Sequence, residues 1–206
     1  VGSYQGQVVE LNSNYINIKN ADLDGNVQVD GTGYHIGGVC NVIDITGNNV
    51  LLENCDIHNA ADDGVGIYGD NIQLINNKVH HLIGAGTDGG KGLCYNGHSD
   101  GLELQDTANV EIIGNLIYDI KSTAALITGQ WSVGLYTQNL TMYNNILYTP
   151  DTGITAYIYY VKGAKIYNNV IWGRTQGSRY GGLAIGKEAT DIYMYNKELD
   201  IVGFFY

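Results

Sequence analysis

The chain has 206 residues and carries 21 Asp and Glu against 10 Lys and Arg, a formal net charge of −11. This length is enough to bury one sizeable core, and the negative charge excludes a general nucleic-acid binder, which needs a positive footprint. No apolar run is long enough to cross a bilayer, so no membrane partner is expected. Gly is abundant at 29 residues while Pro occurs once.

Seven segments along the chain repeat one pattern, in which an Asn is followed three residues later by an aliphatic residue (the fourth segment has Gly114 in place of the Asn). In chain order they lie at 18–24, 52–58, 74–80, 112–118, 142–148, 166–172 and, more weakly, 194–200. The spacing between them varies, which is typical of a solenoid with a constant core repeat and loops of different length.

Short runs that alternate apolar and polar residues accompany these segments, as half-buried strands do. One set lies at 15–18, 50–52, 71–75, 110–113, 140–143 and 165–167, and a second at 42–45, 64–67, 101–104, 153–156 and 182–185, with a less regular member near 125–127. Parallel crossover connections are overwhelmingly right-handed. The pattern therefore predicts an all-β, single-stranded right-handed parallel β-helix of about seven rungs. We expect one domain over 1–206, with loop insertions near 24–42 and 83–97.

The repeated Asn has a structural interpretation, because Asn tolerates the left-handed backbone at a sharp corner. Stacked Asn side chains can also form hydrogen bonds along the coil. The three cysteines, Cys40, Cys55 and Cys94, are too few and too scattered for a disulfide framework or a zinc cluster. They are expected to be buried free thiols.

Acidic residues concentrate where the second set of strands begins. Equivalent positions of successive rungs stack about 4.8 Å apart, so the outward residues of that strand form a column. We predict that this column contains Asp44, Gly66, Glu103, Thr155 and Ala184. The turn before the strand supplies Asp62, Asp63, His98, Asp100 and, further along, Asp151. Asp44, Asp62, Asp63, His98, Asp100 and Glu103 are thus expected on one face within three rungs.

Crowded carboxylates either separate their pKa values or hold a cation, and two chemistries follow. In the first, Asp44 and Glu103 lie two rungs apart, about 9.6 Å, and Gly66 leaves room between them for the water of an inverting glycosidase. This hydrolase needs no cofactor. In the second, Asp62, Asp63 and Asp100 bind Ca²⁺, and Lys91 abstracts a proton from an acidic sugar.

Two Asn-rich segments, NNVLLENCDIHN at 48–59 and GDNIQLINNKVHHL at 69–82, resemble the pectate-lyase-like superfamily of right-handed parallel β-helix proteins. That superfamily includes polysaccharide lyases, polygalacturonase-type hydrolases, alginate epimerases and tailspike depolymerases. ADDGVGI at 61–67 and GHSDGLEL at 97–104 resemble the polygalacturonase-type hydrolases in particular. By that resemblance Asp62 and Asp63 supply acid and base and His98 assists. The third Asp motif and the basic substrate-binding motif of those hydrolases are not evident here.

These features predict an enzyme that cleaves a polysaccharide by acid–base chemistry in an acidic groove. The alternatives are a Ca²⁺-dependent lyase or epimerase, and a non-catalytic glycan-binding, tailspike or adhesion module. The residues expected to contact substrate are Tyr68, Tyr95, Tyr157 and Arg179. The resemblance implies a secreted or virion-surface protein whose partner is a polysaccharide, and a homo-oligomer, a trimer if it is tailspike-like.

A second outward column contains aromatic and His side chains, one position past the buried aliphatic residue of each repeat. Its members are His58, His80, Tyr118, Tyr148 and Trp172. Such a stripe can bind sugar rings. Ordinary strand surface, or a packing face between subunits, is the favoured interpretation.

Overall fold

The computed structural model describes residues 7–29, 35–84, 94, 99–129, 135–150, 154–173, 182–195, 198–199 and 202–204. These residues form strands and turns without any helix, and three parallel sheets account for almost all of the strands. A search of the described residues for a helix long and apolar enough to cross a membrane finds none.

Each of the three sheets takes one strand from every turn of the chain. The first sheet contains Val9–Leu11, Ile43–Ile45, Val65–Ile67, Asp100–Leu104, Ala124–Thr128, Ala156–Ile158, Leu183–Ile185 and Val202–Phe204. The second contains Asn17–Lys19, Val50–Glu53, Ile72–Ile75, Ala108–Ile113, Thr137–Tyr143, Val161–Tyr167 and Thr190–Tyr195. The third contains Asp22–Asp24, Asp56–His58, Lys78–Leu82, Leu116–Ile120, Ile146–Thr149, Val170–Gly173 and Glu198–Leu199.

Strands that are neighbours in a sheet belong to successive turns and pair in parallel. In the second sheet, for example, Ile72 is in register with Val50 on one side and Val110 on the other. In each of the three sheets a column of aliphatic residues points inward, and Ile45, Leu52 and Ile57 are completely buried. The predicted coil of about seven rungs is confirmed. The first predicted insertion holds a small antiparallel pair, Gln28–Val29 with His35–Gly37.

The repeated Asn lies at the corner between the second and third sheets, in the left-handed conformation. Asn20, Asn54, Asn76, Asn144 and Asn168 have φ between 53° and 57°, and Gly114 has φ 67°. The predicted conformational role is therefore confirmed. Gly replaces Asn once because both residues tolerate a positive φ.

The hydrogen-bonded stack along the coil is made by the residue after this corner Asn, which the sequence prediction did not single out. Asn77, Asn115, Asn145 and Asn169 are all buried. The backbone N–H of Asn115 donates to Oδ1 of Asn145 at 2.8 Å, and its side-chain Nδ2 donates to the carbonyl of Leu74 at 2.8 Å. We call these four residues the buried Asn ladder. Each amide satisfies backbone groups that would otherwise be unpaired in the core.

The predicted strand at 153–156 is wrong by two residues. The strand is Ala156–Ile158, and Tyr157 occupies the outward position that was predicted for Thr155. Thr155 is fully buried at the preceding corner, where its Oγ1 lies 2.9 Å from Oγ1 of Thr149. Two overlapping runs both alternate apolar and polar residues here, and the glycine that marks the strand start in other rungs pointed to the wrong one.

The expectation of three free thiols is also wrong. Cys40 and Cys94 form a disulfide, and Cys55 alone is a buried free thiol. The two paired cysteines are 54 residues apart in sequence. Only the return of the chain in the coil brings Cys94 beside the turn that holds Cys40, so their spacing gives no sign of the pair.

Candidate functional site

The outward column of the first sheet begins with acidic side chains. Glu10, Asp44, Gly66 and Glu103 are in register on four successive turns. Ile127, Tyr157 and Ala184 continue the column. The sheet register thus places Asp44 two turns from Glu103, as predicted. The acidic residues of this column are confined to one end of the coil.

Asp63 and Asp100 lie on successive turns at the corner that precedes this column, but both are buried. Asp63 is 3% exposed and Asp100 is 1% exposed. Oδ1 of Asp63 accepts the backbone N–H of Asp100 at 2.8 Å, and the Asp63 N–H donates to Oδ1 of Asn41 at 3.1 Å. Asn41, Asp63 and Asp100 therefore form a corner stack like the buried Asn ladder, with carboxylates in two places where an amide would serve.

The environment of Asp63 opposes its ionisation. Burial raises the pKa of its carboxyl well above the ordinary value, and the negative charges of Asp100, Asp62 and Glu103 raise it further. Burial, followed by the charges of Glu103 and Asp44, also raises the pKa of the Tyr68 hydroxyl. Asp44, Asp62, Asp63, Tyr68 and Glu103 lie at this corner and along the column that follows it, and we call them the acidic cluster.

The space over Gly66 is filled, which contradicts the expectation of an open gap for water. A Cβ at this position would lie 2.5 Å from Oδ1 of Asp44 and 3.0 Å from Oη of Tyr68. Asp44 itself is 8% exposed, accepts Nδ2 of Asn41 at 3.0 Å and also accepts Nε2 of Gln7. The Tyr68 ring and the Asp44 carboxylate pack directly over the backbone of Gly66, so a larger residue there would displace one of these side chains.

The solvent-facing members of the acidic cluster are Asp62, Tyr68 and Glu103, each of which is partly exposed. Oε1 of Glu103 accepts Nε2 of Gln105 at 2.5 Å. Asn41, which contacts both Asp44 and Asp63, was not identified from the sequence. Its interval of 22 residues before Asp63 equals the shortest spacing of the repeat, between Asn54 and Asn76, and this interval is the signal that would have found it.

The Cys40–Cys94 disulfide holds Cys94 beside this cluster. Cys94 is buried and packs with Ala61, which directly precedes Asp62. The backbone N–H of Asp62 donates to the carbonyl of Cys40 at 2.9 Å. The predicted residues Lys91, Tyr95, His98, Asp151 and Arg179 lie outside the described residues. Of the other predicted site residues, Asp100 lies at the corner beside Asp63, outside the acidic cluster as defined. Tyr157 lies in the same outward column, two turns beyond Glu103.

Calcium binding by Asp62, Asp63 and Asp100 finds no support in the described part of the chain. No three His, Cys, Asp or Glu side chains there converge in a way that could hold a metal. One carboxylate oxygen of Asp63 already accepts a backbone N–H. The donor set does not suit a divalent cation, and no chemical step is derived through one.

The variant Asp63→Asn is expected to be more stable than the wild-type protein at neutral pH. An amide keeps the acceptor for the Asp100 N–H and removes a buried charge from beside three other carboxylates. Because the pKa of Asp63 is raised in the folded state, its contribution to the free energy of unfolding is largest below pH about 4 and is lost as pH rises through the folded pKa. We expect the variant to gain on the order of 1 kcal/mol, or about 2–4 °C in Tm, at pH 8.

This gain should shrink towards pH 4, as measured by thermal unfolding at both pH values. Asp70→Asn is the matched control, because exposed Asp70 also accepts a backbone N–H from the next turn, that of Ala108 at 2.7 Å. Its Tm should change little at either pH. A lower Tm of Asp63→Asn at pH 8, or an equal difference at both pH values, would show that Asp63 is not strained in this way.

The stripe on the third sheet forms as predicted. His58, His80, Tyr118, Tyr148 and Trp172 are in register on five successive turns. The rings of His80 and Tyr118 stack with centroids 4.8 Å apart, and those of Tyr148 and Trp172 with centroids 4.9 Å apart. Nε2 of His80 lies 2.7 Å from Oδ1 of Asp56, and burial lowers the pKa of His80. Ion pairs and ring stacking between neighbouring strands therefore explain this stripe as ordinary strand surface.

The architecture has a counterpart among known sequences. Residues 7–199 match the family described as "Right handed beta helix region". The chain belongs to this right-handed β-helix family. The predicted handedness and the predicted membership of the right-handed parallel β-helix superfamily are thereby confirmed.

A solved β-helix protein and the curated proteins complete the comparison. The crystal structure of the Dettilon tailspike protein (gp208) is similar with a TM-score of 0.50 and 14% sequence identity. The match covers 89% of this chain and 47% of that tailspike, so this β-helix chain spans about half of its length. At this identity the likeness concerns the fold alone. No functionally curated protein matches the chain.

Proposed function

We propose that the protein cleaves a glycosidic bond of a polysaccharide by acid–base chemistry at the acidic cluster. One observation carries the proposal: four carboxyl groups lie together at one corner and in the outward column that follows it. Asp44 and Glu103 flank Gly66, over which the Tyr68 hydroxyl packs, and Asp62 and Asp63 lie at the preceding corner. A scaffold with no catalytic need for them gains nothing from crowding like charges, which costs stability. Crowded carboxylates with displaced pKa values are typical of glycoside hydrolysis.

The roles follow from exposure. Asp62 and Glu103 are partly exposed and form the pair that reaches the substrate, one donating a proton to the leaving oxygen and the other activating water. Tyr68 lies between Asp44 and Glu103 and offers a ring face and a hydroxyl to the sugar. Buried Asp44 supplies negative potential that favours an oxocarbenium-like transition state. Asp63, whose raised pKa favours its neutral form, joins its turn to the next through the Asp100 N–H.

The setting of this activity is proposed to be extracellular or on a virion surface. The Cys40–Cys94 disulfide requires an oxidising compartment to form and persist. The solved structure of similar fold is a tailspike protein, and a homotrimer is the assembly that this likeness suggests. Size-exclusion chromatography with light scattering tests the assembly directly.

The test of the activity is incubation of the full chain with a panel of neutral and acidic polysaccharides. New reducing ends without ultraviolet absorbance from an unsaturated uronate are expected. Reducing ends accompanied by that absorbance would show that the bond is cleaved by elimination and not by hydrolysis. No product from any member of the panel would contradict the proposed catalysis.

A second candidate is a glycan-binding module without catalysis. The observation that favours it is the burial of Asp63 and Asp100, whose hydrogen bond stacks one turn on the next. On this view the carboxylates are corner residues of the coil. Retained binding of a polysaccharide with no product in the same panel would establish the module.

A further inference from the structure

The outward face of the second sheet holds a polar cleft, which lies on a different sheet from the outward column of the acidic cluster. Its volume is about 460 Å³. Polar side chains dominate its lining, which includes Asn17, Asn49, Asn71, Gln73, Asn109, Glu111, Asn139 and Thr141. A second cleft of about 260 Å³ shares Asn109, Asn139 and Thr141 with it and extends to Lys165 and Tyr193. We call the two clefts together the amide groove.

The amide groove runs along the coil axis with one repeat per turn. Its floor is a single register column, whose members are Asn17, Leu51, Gln73, Glu111, Thr141, Lys165 and Tyr193. Seven turns at the spacing of parallel strands give a length of about 29 Å. One wall is a column of corner residues, Asn49, Asn71, Asn109 and Asn139. The groove therefore offers equivalent polar groups at a spacing close to the rise per sugar of an extended glycan.

Amide groups match sugar hydroxyls better than charged groups do. A hydroxyl both donates and accepts hydrogen bonds, as an amide does, whereas a carboxylate only accepts and an ammonium only donates. Nδ2 of Asn109 donates to Oδ1 of Asn71 at 2.9 Å, and Nδ2 of Asn139 donates to Oδ1 of Asn109 at 3.1 Å. These bonds orient the wall, and the exposed amides keep a second N–H and further lone pairs for a ligand.

The charge of the groove favours a neutral ligand. Glu111 accepts Nε2 of Gln73 at 2.7 Å, and Lys165 and Asp191 line the other end with opposite signs. A polyanion would meet no excess of positive charge here and would be repelled by the net charge of −11. Tyr193 is 71% exposed, which places an aromatic platform for ring stacking at one end of the groove.

We infer that the amide groove is a second carbohydrate site, which binds an extended neutral glycan along the coil axis. This inference rests on the proposed function only for the class of ligand, a carbohydrate. The groove itself lies on a different sheet from the acidic cluster. The groove holds the polymer, and the acidic cluster acts on it. Corner geometry explains why Asn recurs in the wall, where φ lies between 54° and 59°, but it does not explain a polar floor.

The test is isothermal titration calorimetry of the full chain with cellohexaose, chitohexaose and mannohexaose. The probe variant is Asn71→Gly/Asn109→Gly. Glycine is suited to both positions because Gly163 occupies the same column with φ 78°. The matched control is Asn144→Gly, an exposed Asn with φ 57° that lies outside the groove. We expect at least one hexasaccharide to bind, the double variant to lose at least tenfold in affinity, and the control to bind as the wild-type protein does.

Different results would contradict the proposed groove site and the proposed catalysis. Equal affinity of the double variant and the wild-type protein, or binding of none of the three hexasaccharides, overturns the groove. Tyr68→Ala provides the other arm, because loss of binding in this variant alone would place the sugar at the acidic cluster. Loss of cleavage in Glu103→Gln with unchanged hexasaccharide affinity would support both sites.

Discussion

Glu103→Gln is expected to lower the rate of polysaccharide cleavage by at least about 100-fold, the usual contribution of a positioned acid or base. Glu103 is the partly exposed carboxylate of the first-sheet column, and it contributes to the raised pKa of both Asp63 and Tyr68. An amide has nearly the same shape and cannot exchange a proton. Reducing-end production under conditions of saturating substrate measures the effect, and the Tm should not fall.

The control is Glu53→Gln, which removes a partly exposed carboxylate of the same type from the second sheet. Glu53 forms an ion pair with Lys19 at 2.6 Å, an exposed interaction worth little. Its cleavage rate should equal that of the wild-type protein. If Glu103→Gln also keeps the wild-type rate, Glu103 is not part of the catalytic pair.

Asn145→Ala is expected to cost about 3–5 kcal/mol in the free energy of unfolding. Oδ1 of Asn145 accepts the Asn115 N–H at 2.8 Å, and its Nδ2 donates to the Ile112 carbonyl at 2.8 Å. The alanine would leave both groups unpaired in the core, at about 1–3 kcal/mol each, and would add a small cavity. Urea unfolding monitored by circular dichroism measures the change.

The neighbouring residue provides the control. Asn144 precedes Asn145 directly, is exposed and has φ 57°, so Asn144→Gly keeps the corner conformation and should change the free energy of unfolding by less than about 1 kcal/mol. Two adjacent asparagines would thus differ by several kcal/mol. Similar costs at both positions would mean that the buried Asn ladder does not stabilise the coil beyond its corners.

The fold was predictable because a solenoid repeats its signals. The aliphatic residue recurs three positions after the corner residue, which is Asn in every repeat but that of Gly114. The alternation of apolar and polar residues in the strands fixes which face each strand buries. The rung near Ala125 was less clear, since it lacks the Gly and alternating pattern of the others, whereas the rung near Thr155 has that pattern in the wrong register. Here two registers satisfy the same pattern, and only the packing of Ala156 and Ile158 into the core decides between them.

The sequence predicted which residues of the candidate site line up on successive turns, but not how deeply their side chains are buried. Register arithmetic placed Asp44 two turns from Glu103 and Asp63 one turn from Asp100. Side-chain direction at the corner, which buries Asp63 and Asp100, depends on backbone angles that the sequence pattern does not contain. The Cys40–Cys94 pair and the packing of Tyr68 over Gly66 depend on contacts between turns and left no local signal.

The most direct measurement of the central claim is a crystal structure of Glu103→Gln with an oligosaccharide of the polysaccharide that the wild-type protein cleaves. Catalysis at the acidic cluster predicts a sugar ring against Tyr68, with the glycosidic oxygen within hydrogen-bond distance of the side chain at position 103 or of Asp62. Sugar density that lies only away from the acidic cluster would contradict it.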